Sequence, residues 1–242
     1  MKKLLLFILL FFCQMSVSAQ TMNEVGWISK FGMAGGFSPI WFSSNIDDLN
    51  LQLESFGLPP FSDNGIITYG GGGYAYIMFF DNVRIGGLGF SGSTSTEGTV
   101  NNFNREVSYS IGGGALTIEY TIPSIKNVAL SVGAMIGAGA LEIEIYQNQG
   151  ETDWNDIWNG FSGSSENINR KISNNYYIFA PTVNLDIPLT RFIAFRIGGG
   201  YQFTFSNNWE LDNGQSIQGI PAGLKADSFF IQTGLFIGFF AF

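Results

Sequence analysis

The chain has 242 residues, a net charge of −8, 45% hydrophobic and 16% aromatic residues, only 12% charged residues, and no histidine. An acidic balance of this kind excludes nucleic acid as a partner, because phosphates need a basic surface. The positive mean hydropathy of +0.18 has to be reconciled with the fact that, after the first few residues, no segment approaches the ~20 apolar residues of a membrane helix.

The N-terminus reads as an export signal. Lys2 and Lys3 form a positive start, Leu4 to Phe12 an apolar stretch too short to span a bilayer, and Val17-Ser18-Ala19 a small-residue cleavage site. Residues 1–19 are therefore expected to be removed, leaving 20–242 as a single domain and taking the net charge to −10. Phe12 before Cys13 disfavours lipidation, which wants a small residue there. Cleavage removes Cys13, the one cysteine, so neither a disulfide nor a cysteine-ligated metal is available. An apolar exported chain without a spanning helix has one membrane solution, a closed β-barrel, because unpaired backbone groups cannot face lipid.

In chain order, strands are expected at Trp27–Phe37, Ile66–Phe80, Val83–Ser91, Val107–Ile122, Val128–Tyr146, Tyr176–Ile187, Phe192–Phe205 and Ser228–Phe242. Their connections alternate. Asp81-Asn82, Pro123 to Asn127 and Pro188 to Arg191 are tight turns, whereas Ser38–Gly65, Gly92–Glu106, Gln147–Asn175 and Ser206–Asp227 are long and polar. In an up-and-down meander this sorts long loops to one end and short turns to the other, the asymmetry of transmembrane barrels. The fold class expected is all-β: a closed antiparallel barrel of about eight strands, with Ser228–Phe242 closing against Trp27–Phe37. The run Val128–Tyr146 shifts its alternation near Gly137 and Gly139, as a bulge would.

One helix is expected, Asn45 to Phe56 in the first long loop. Ile46, Leu49, Leu53 and Phe56 share a face, Ser44 or Asn45 can cap it, Asp47 and Asp48 suit the positive dipole end, and Gly57 with Pro59 and Pro60 stops it. Its apolar face either plugs the barrel mouth or packs among neighbouring loops.

The signal, the loop asymmetry, and Phe242 with Phe240 and Phe236 on one strand face resemble small outer-membrane β-barrel proteins of Gram-negative bacteria, the architectural class of OmpA, OmpX and OmpW. The resemblance covers nearly all of the mature chain and is architectural. It implies a bacterial outer-membrane location, surrounding lipid, and Phe236, Phe240 and Phe242 as the signal read by the barrel-assembly machinery. Outer-membrane enzymes of comparable build resemble one another in using histidine, which this chain lacks, so no enzymatic activity is expected. No cofactor is called for.

Four charges sit inside strands. Arg84 and Glu119 border one pair of turns, and Asp186 and Arg196 flank another. Facing lipid, each would cost roughly 2–4 kcal/mol near the midplane, so all four are expected in the lumen, as a structural ion-pair network rather than a selectivity ring. Glycine clusters at Gly70–Gly73, Gly86-Gly87, Gly112–Gly114 and Gly198–Gly200 mark either curvature or a smooth lumenal seat for a plug. Glu151, Asp153, Asp156, Glu166, Glu210 and Asp212 make the loops acidic, and Trp154, Trp158 and Phe161 suit an interfacial belt or, as the alternative, a carbohydrate or protein contact. Two functions fit: a non-catalytic scaffold displaying loops to a surface protein, or a narrow pore or binding barrel for small apolar solutes, plugged by the helix.

Overall fold

The structure, a computed structural model, describes residues 31–123, 128–149, 167–206 and 208–241. The expected signal, Trp27, Phe242, the third-loop residues Glu151, Asp153, Trp154, Asp156, Trp158, Phe161 and Glu166, and part of the Pro123 turn lie outside them. The elements are β1 (Phe31–Phe37), β2 (Ile40–Phe42), α1 (Asp47–Phe56), β3 (Ile66–Tyr76), β4 (Val83–Val100), β5 (Phe103–Thr121), β6 (Ala129–Asn148), β7 (Ile168–Pro188), β8 (Ile193–Ser206), β9 (Glu210–Leu211) and β10 (Ser228–Ala241).

The strands close into a ring. Each of β3 to β8 pairs antiparallel with its sequence neighbour, β8 pairs with β10, and β10 pairs with β1 from Phe31↔Ala241 to Phe37↔Leu235. The expected closure is therefore present. β1 and β2 are one barrel strand: both pair with β10 and with β3 in an unbroken register. The sequence pattern ends this strand at Phe37 because Ser38-Pro39 looks like loop. Pro39 lacks an N–H, but its carbonyl accepts from Thr233 N at 3.0 Å and Ser38 N donates to Gly70 O at 2.9 Å, so the ladder continues around it. Counting β1 and β2 once and leaving the short β9 off the ring, eight strands make the barrel.

Three connections differ from expectation. The second "long loop" is a hairpin: β4 and β5 stay paired to Val100↔Phe103 and turn through Asn101 and Asn102, with φ of 52° and 65°. Two successive left-handed residues make the tight turn whose twist suits a hairpin, and asparagine tolerates that conformation. Likewise β6 runs to Asn148, and β7 begins at Ile168 instead of Tyr176. These extensions are rich in Ser, Thr, Asn and Glu because their outer face meets water, which hid them from a search for alternating apolar residues. On the opposite rim β3 stops at Tyr76, and Met78, Phe79 and Phe80 form an exposed apolar turn instead of strand. With Leu189 and Phe192 they gird the short-turn end, as interfacial aromatic belts do.

The faces follow the pleat. On β5, Leu116, Ile118 and Tyr120 point out while Ala115, Glu119 and Thr121 are buried; on β7, Tyr177, Phe179 and Val183 point out while Ile178, Thr182, Asn184 and Asp186 are buried. β6 carries no bulge. Its register with β5 and β7 is continuous throughout, and the apparent shift of alternation arises because Gly137 and Gly139 occupy inward positions. Higher on the same strands the outer face turns polar, at Ser108 and Ser110 on β5 and at Lys171 and Ser173 on β7. β4 to β7 thus rise past the apolar belt as a four-stranded sheet.

Candidate functional site

The lumen holds the four strand charges and the apolar face of the helix, in layers. Nearest the short-turn end, Arg84 and Glu119 face each other across β4 and β5, and Asp186 and Arg196 across β7 and β8. Arg84 Nε donates to Glu119 and its Nη1 reaches across the bore to Asp186. Arg196 Nε and Nη2 make a fork on Asp186, at 2.6 and 3.0 Å, and Arg196 Nη1 lies 3.8 Å from Glu119. The four sequence-predicted charges are thus one network with two positive and two negative groups. Arg84 is 1% exposed and Glu119 2%, so the energy of this layer depends on its completeness. Taking one charge away leaves its partners buried without compensation.

Three residues of this layer escaped the sequence reading of the site. Asn184 Nδ2 donates to Glu119 at 2.5 Å, and Gln232 donates to Asn184, extending the network to the closing strand. The Tyr74 ring lies 4.3 Å from the Arg84 guanidinium and 4.7 Å from that of Arg196. Asn184 shares a face with Asp186 in the sequence pattern, so its inward position was legible. Gln232 sits in a run apolar on both faces, and nothing marked it. Phe236, expected as part of an assembly signal, lies on the inner face, 3% exposed, its ring tilted against that of Tyr74 and under Arg196. Phe240 pairs through its backbone with Gly32.

Toward the long-loop end the lumen is apolar. Phe42, Phe90 and Phe230 cluster, with ring centroids 5.1 and 5.7 Å apart, and Tyr109, Ile111, Leu141, Ile143, Tyr176 and Ile178 continue the wall. The helix closes this cup. Ile46, Leu49 and Leu53 are buried in the same cluster, with Phe56 packed against it, and Trp209, Leu224 and Ala226 of the last long loop join them. The helix starts at Asp47, later than Asn45, with Ile46 at the cap position; Asn45 Oδ1 accepts from Asp47 N at 3.3 Å, and Ser44 caps nothing. It ends as expected, Gly57 being left-handed at φ 82° while Leu58 N donates to Leu53 O.

Arg105 fastens the lid. Its Nη1 donates to Phe56 O, its guanidinium lies 4.3 Å from the Phe56 ring, and its Nε donates to Gln147 at 2.9 Å. Thr96 Oγ1 adds a bond to Pro59 O at 2.9 Å. Arg105→Ala is expected to loosen α1 while leaving the barrel folded, so limited proteolysis should cut near Leu51–Phe56 faster than in the parent; unchanged cleavage would remove Arg105 from this role.

The glycine clusters answer to curvature. A Cβ on inward-facing Gly70 would meet Gly89 O at 1.9 Å, on Gly137 it would meet Gly114 O at 2.1 Å, and on Gly200 Pro181 O at 2.2 Å. The neighbouring strand's backbone fills the space, as strongly coiled strands in a narrow barrel require. The helix is seated on the apolar wall instead. A cavity of about 20 Å³ lies between the layers, lined by Ser38, Glu119, Asn184, Arg196 and Gln232 among others. That is room for about one water.

The sequence matches no protein-family model and no curated protein. Among solved structures it is similar to Ail, the attachment invasion locus protein of Yersinia pestis, at 10% identity and TM-score 0.40, covering 86% of this chain and 97% of that one. It is also similar to the outer membrane protein OprG of Pseudomonas aeruginosa, at 12% and 0.43, covering 87% and 96%, and to a major outer membrane protein of Thermus thermophilus, at 9% and 0.45, covering 86% and 99%. The fold stands on the strand pairing itself. A closed antiparallel ring with an apolar, aromatic exterior is a transmembrane β-barrel of the bacterial outer-membrane type.

Proposed function

We propose that the protein is a non-catalytic, membrane-anchored scaffold of the outer membrane, whose sealed barrel carries the β4–β7 sheet and its loops into the external medium for contact with another surface molecule. One observation carries the reading: among the described residues the lumen holds a charge-compensated ion-pair layer at one end and an apolar layer under α1 at the other. A charge-compensated layer and an apolar layer packed under α1, both among the described residues, oppose solute passage from both directions.

The test is conductance. Purified barrel in planar bilayers is expected to be silent, and stepwise currents from the intact protein would overturn the reading. The competing reading, a pore or binding barrel for small apolar solutes, draws on the apolar wall that α1 covers. It requires the lid to leave. Deleting Asn45–Phe56 is expected to lower thermal stability by uncovering that wall, and to leave ionic conductance blocked by the Arg84 layer. Uptake of apolar solutes by the intact protein would favour the competing reading, while unchanged stability and permeability after the deletion would end any role for α1 as a plug.

A further inference from the structure

The raised sheet has two unlike faces. Its inner face carries Val107, Ile143 and Ile145 against the lid, while its outer face has no aliphatic side chain in the rows above the belt. Directly opposed residues of an antiparallel pair share a face, so register places the charges. Glu97 lies opposite Glu106, Glu106 opposite Tyr146, and Glu144 opposite Lys171, with Glu142 two residues further down its strand. Four carboxylates thus share one flat face with one ammonium.

That ammonium is already committed. Lys171 Nζ lies 2.8 Å from Glu142 and 3.5 Å from Glu144, and these hydrogen bonds hold its pKa above the usual lysine value. Glu97 and Glu106 have no ion pair among the described residues, although like charges directly opposed across strands destabilise a sheet. Both exposed carboxylates line a groove with Tyr146, Asn104 and Asn148. Arg105 borders the same groove, but its guanidinium is engaged with Gln147 and Phe56 on the lid side. The sheet therefore keeps an unfavourable charge pair beside an aromatic ring in a concavity facing the medium. A cation between the two carboxylates would relieve the repulsion, and the Tyr146 ring could take a guanidinium or a lysine stem.

We propose that this outer face of β4–β6 is a docking surface for a basic polypeptide segment of another protein, with a Lys or Arg head group held between Glu97 and Glu106 against Tyr146. The proposal deepens the scaffold reading and rests on it, naming the chemistry of what the scaffold displays itself to. Charge complementarity selects the occupant: the face carries four acids to one base, and the unpaired two sit in the groove.

The experiment uses the full barrel in detergent with a fluorescent decalysine peptide as probe. Binding is expected at low ionic strength and should weaken as salt is raised, because exposed charges are screened. Glu97→Gln and Glu106→Gln should each weaken it about fivefold, the upper range for an exposed ion pair. The same variants should raise the melting temperature, since each removes a repulsion; a merely structural role for either acid would lower it. Glu54→Gln, on the exposed face of α1, should leave affinity unchanged. Unaltered affinity in the Glu97 and Glu106 variants would overturn the proposal, as would an equal loss in Glu54→Gln. So would calcium alone saturating the pair and abolishing peptide binding, which would assign the site to a divalent cation. The two readings fail separately: a barrel that conducts yet binds the peptide through Glu97 ends the sealed-scaffold reading, and a silent barrel indifferent to the peptide ends this one.

Discussion

Gly137→Ala is expected to destabilise the barrel by about 1–3 kcal/mol, the usual cost of forcing a methyl group into filled space, while Gly89→Ala should be neutral or stabilise it by up to about 1 kcal/mol. The two glycines lie in similar sequence but in opposite geometry. A Cβ on Gly137 meets Gly114 O at 2.1 Å and Ala115 Cα at 2.6 Å, which are backbone atoms of the paired strand and cannot rotate away. A Cβ on Gly89 points outward and finds only Gly113 O, at 3.9 Å, an ordinary contact. Gly70→Ala should repeat the first result and Gly114→Ala the second, their nearest contacts being 1.9 and 3.7 Å. Urea unfolding of the refolded barrel in lipid measures all four. Equal shifts for inward and outward variants would mean that curvature does not explain the inward glycines.

Arg84→Met is expected to be the most damaging single change in the lumen, costing about 3–5 kcal/mol, because it leaves Glu119 and Asp186 buried with their charge uncompensated on that side. Arg84→Lys should recover only part of this loss. An ammonium can serve one carboxylate well, whereas the guanidinium reaches two carboxylates on different strands and lies over the Tyr74 ring. Pairing Arg84→Met with Glu119→Leu should cost less than the sum of the single changes, since residues of one network do not act independently. If Arg84→Met failed to refold, Gln232→Leu would probe the network's rim, removing one donor to Asn184 without exposing a charge. A loss below about 1 kcal/mol for Arg84→Met would contradict a network whose members compensate one another.

Much of this architecture was legible because lipid imposes strict alternation. Tyr177, Phe179 and Val183 against Thr182, Asn184 and Asp186 could be sorted without coordinates, and the four strand charges could be sent inward on cost alone. Legibility ended where lipid ended. Above the belt both faces of β4 admit small polar residues, so Gly92–Val100 reads as loop although it is paired strand to its last residue. Pro39 misled for the opposite reason: a local rule about the missing N–H was overruled by two neighbouring strands whose register leaves no need for that donor. The four charges were legible as a lumenal network, but its wiring was not. Sequence neighbours pair Arg84 with Glu119 and Asp186 with Arg196, while the bond from Arg84 to Asp186 crosses the bore.

By itself the sequence determined the class of solution: an apolar, helix-poor chain with alternating strands must close its backbone hydrogen bonds in a ring, and helical periodicity at Ile46, Leu49 and Leu53 must bury one face. What only the tertiary structure decided is what lies inside the ring and above it. Whether Gly137 faces lipid or a neighbouring carbonyl, whether α1 rests on glycine or on phenylalanine, and whether Glu97 meets a cation or another carboxylate all depend on strand stagger and cross-bore distance. Those quantities arise from the pairing of residues far apart in the chain, which no local pattern encodes.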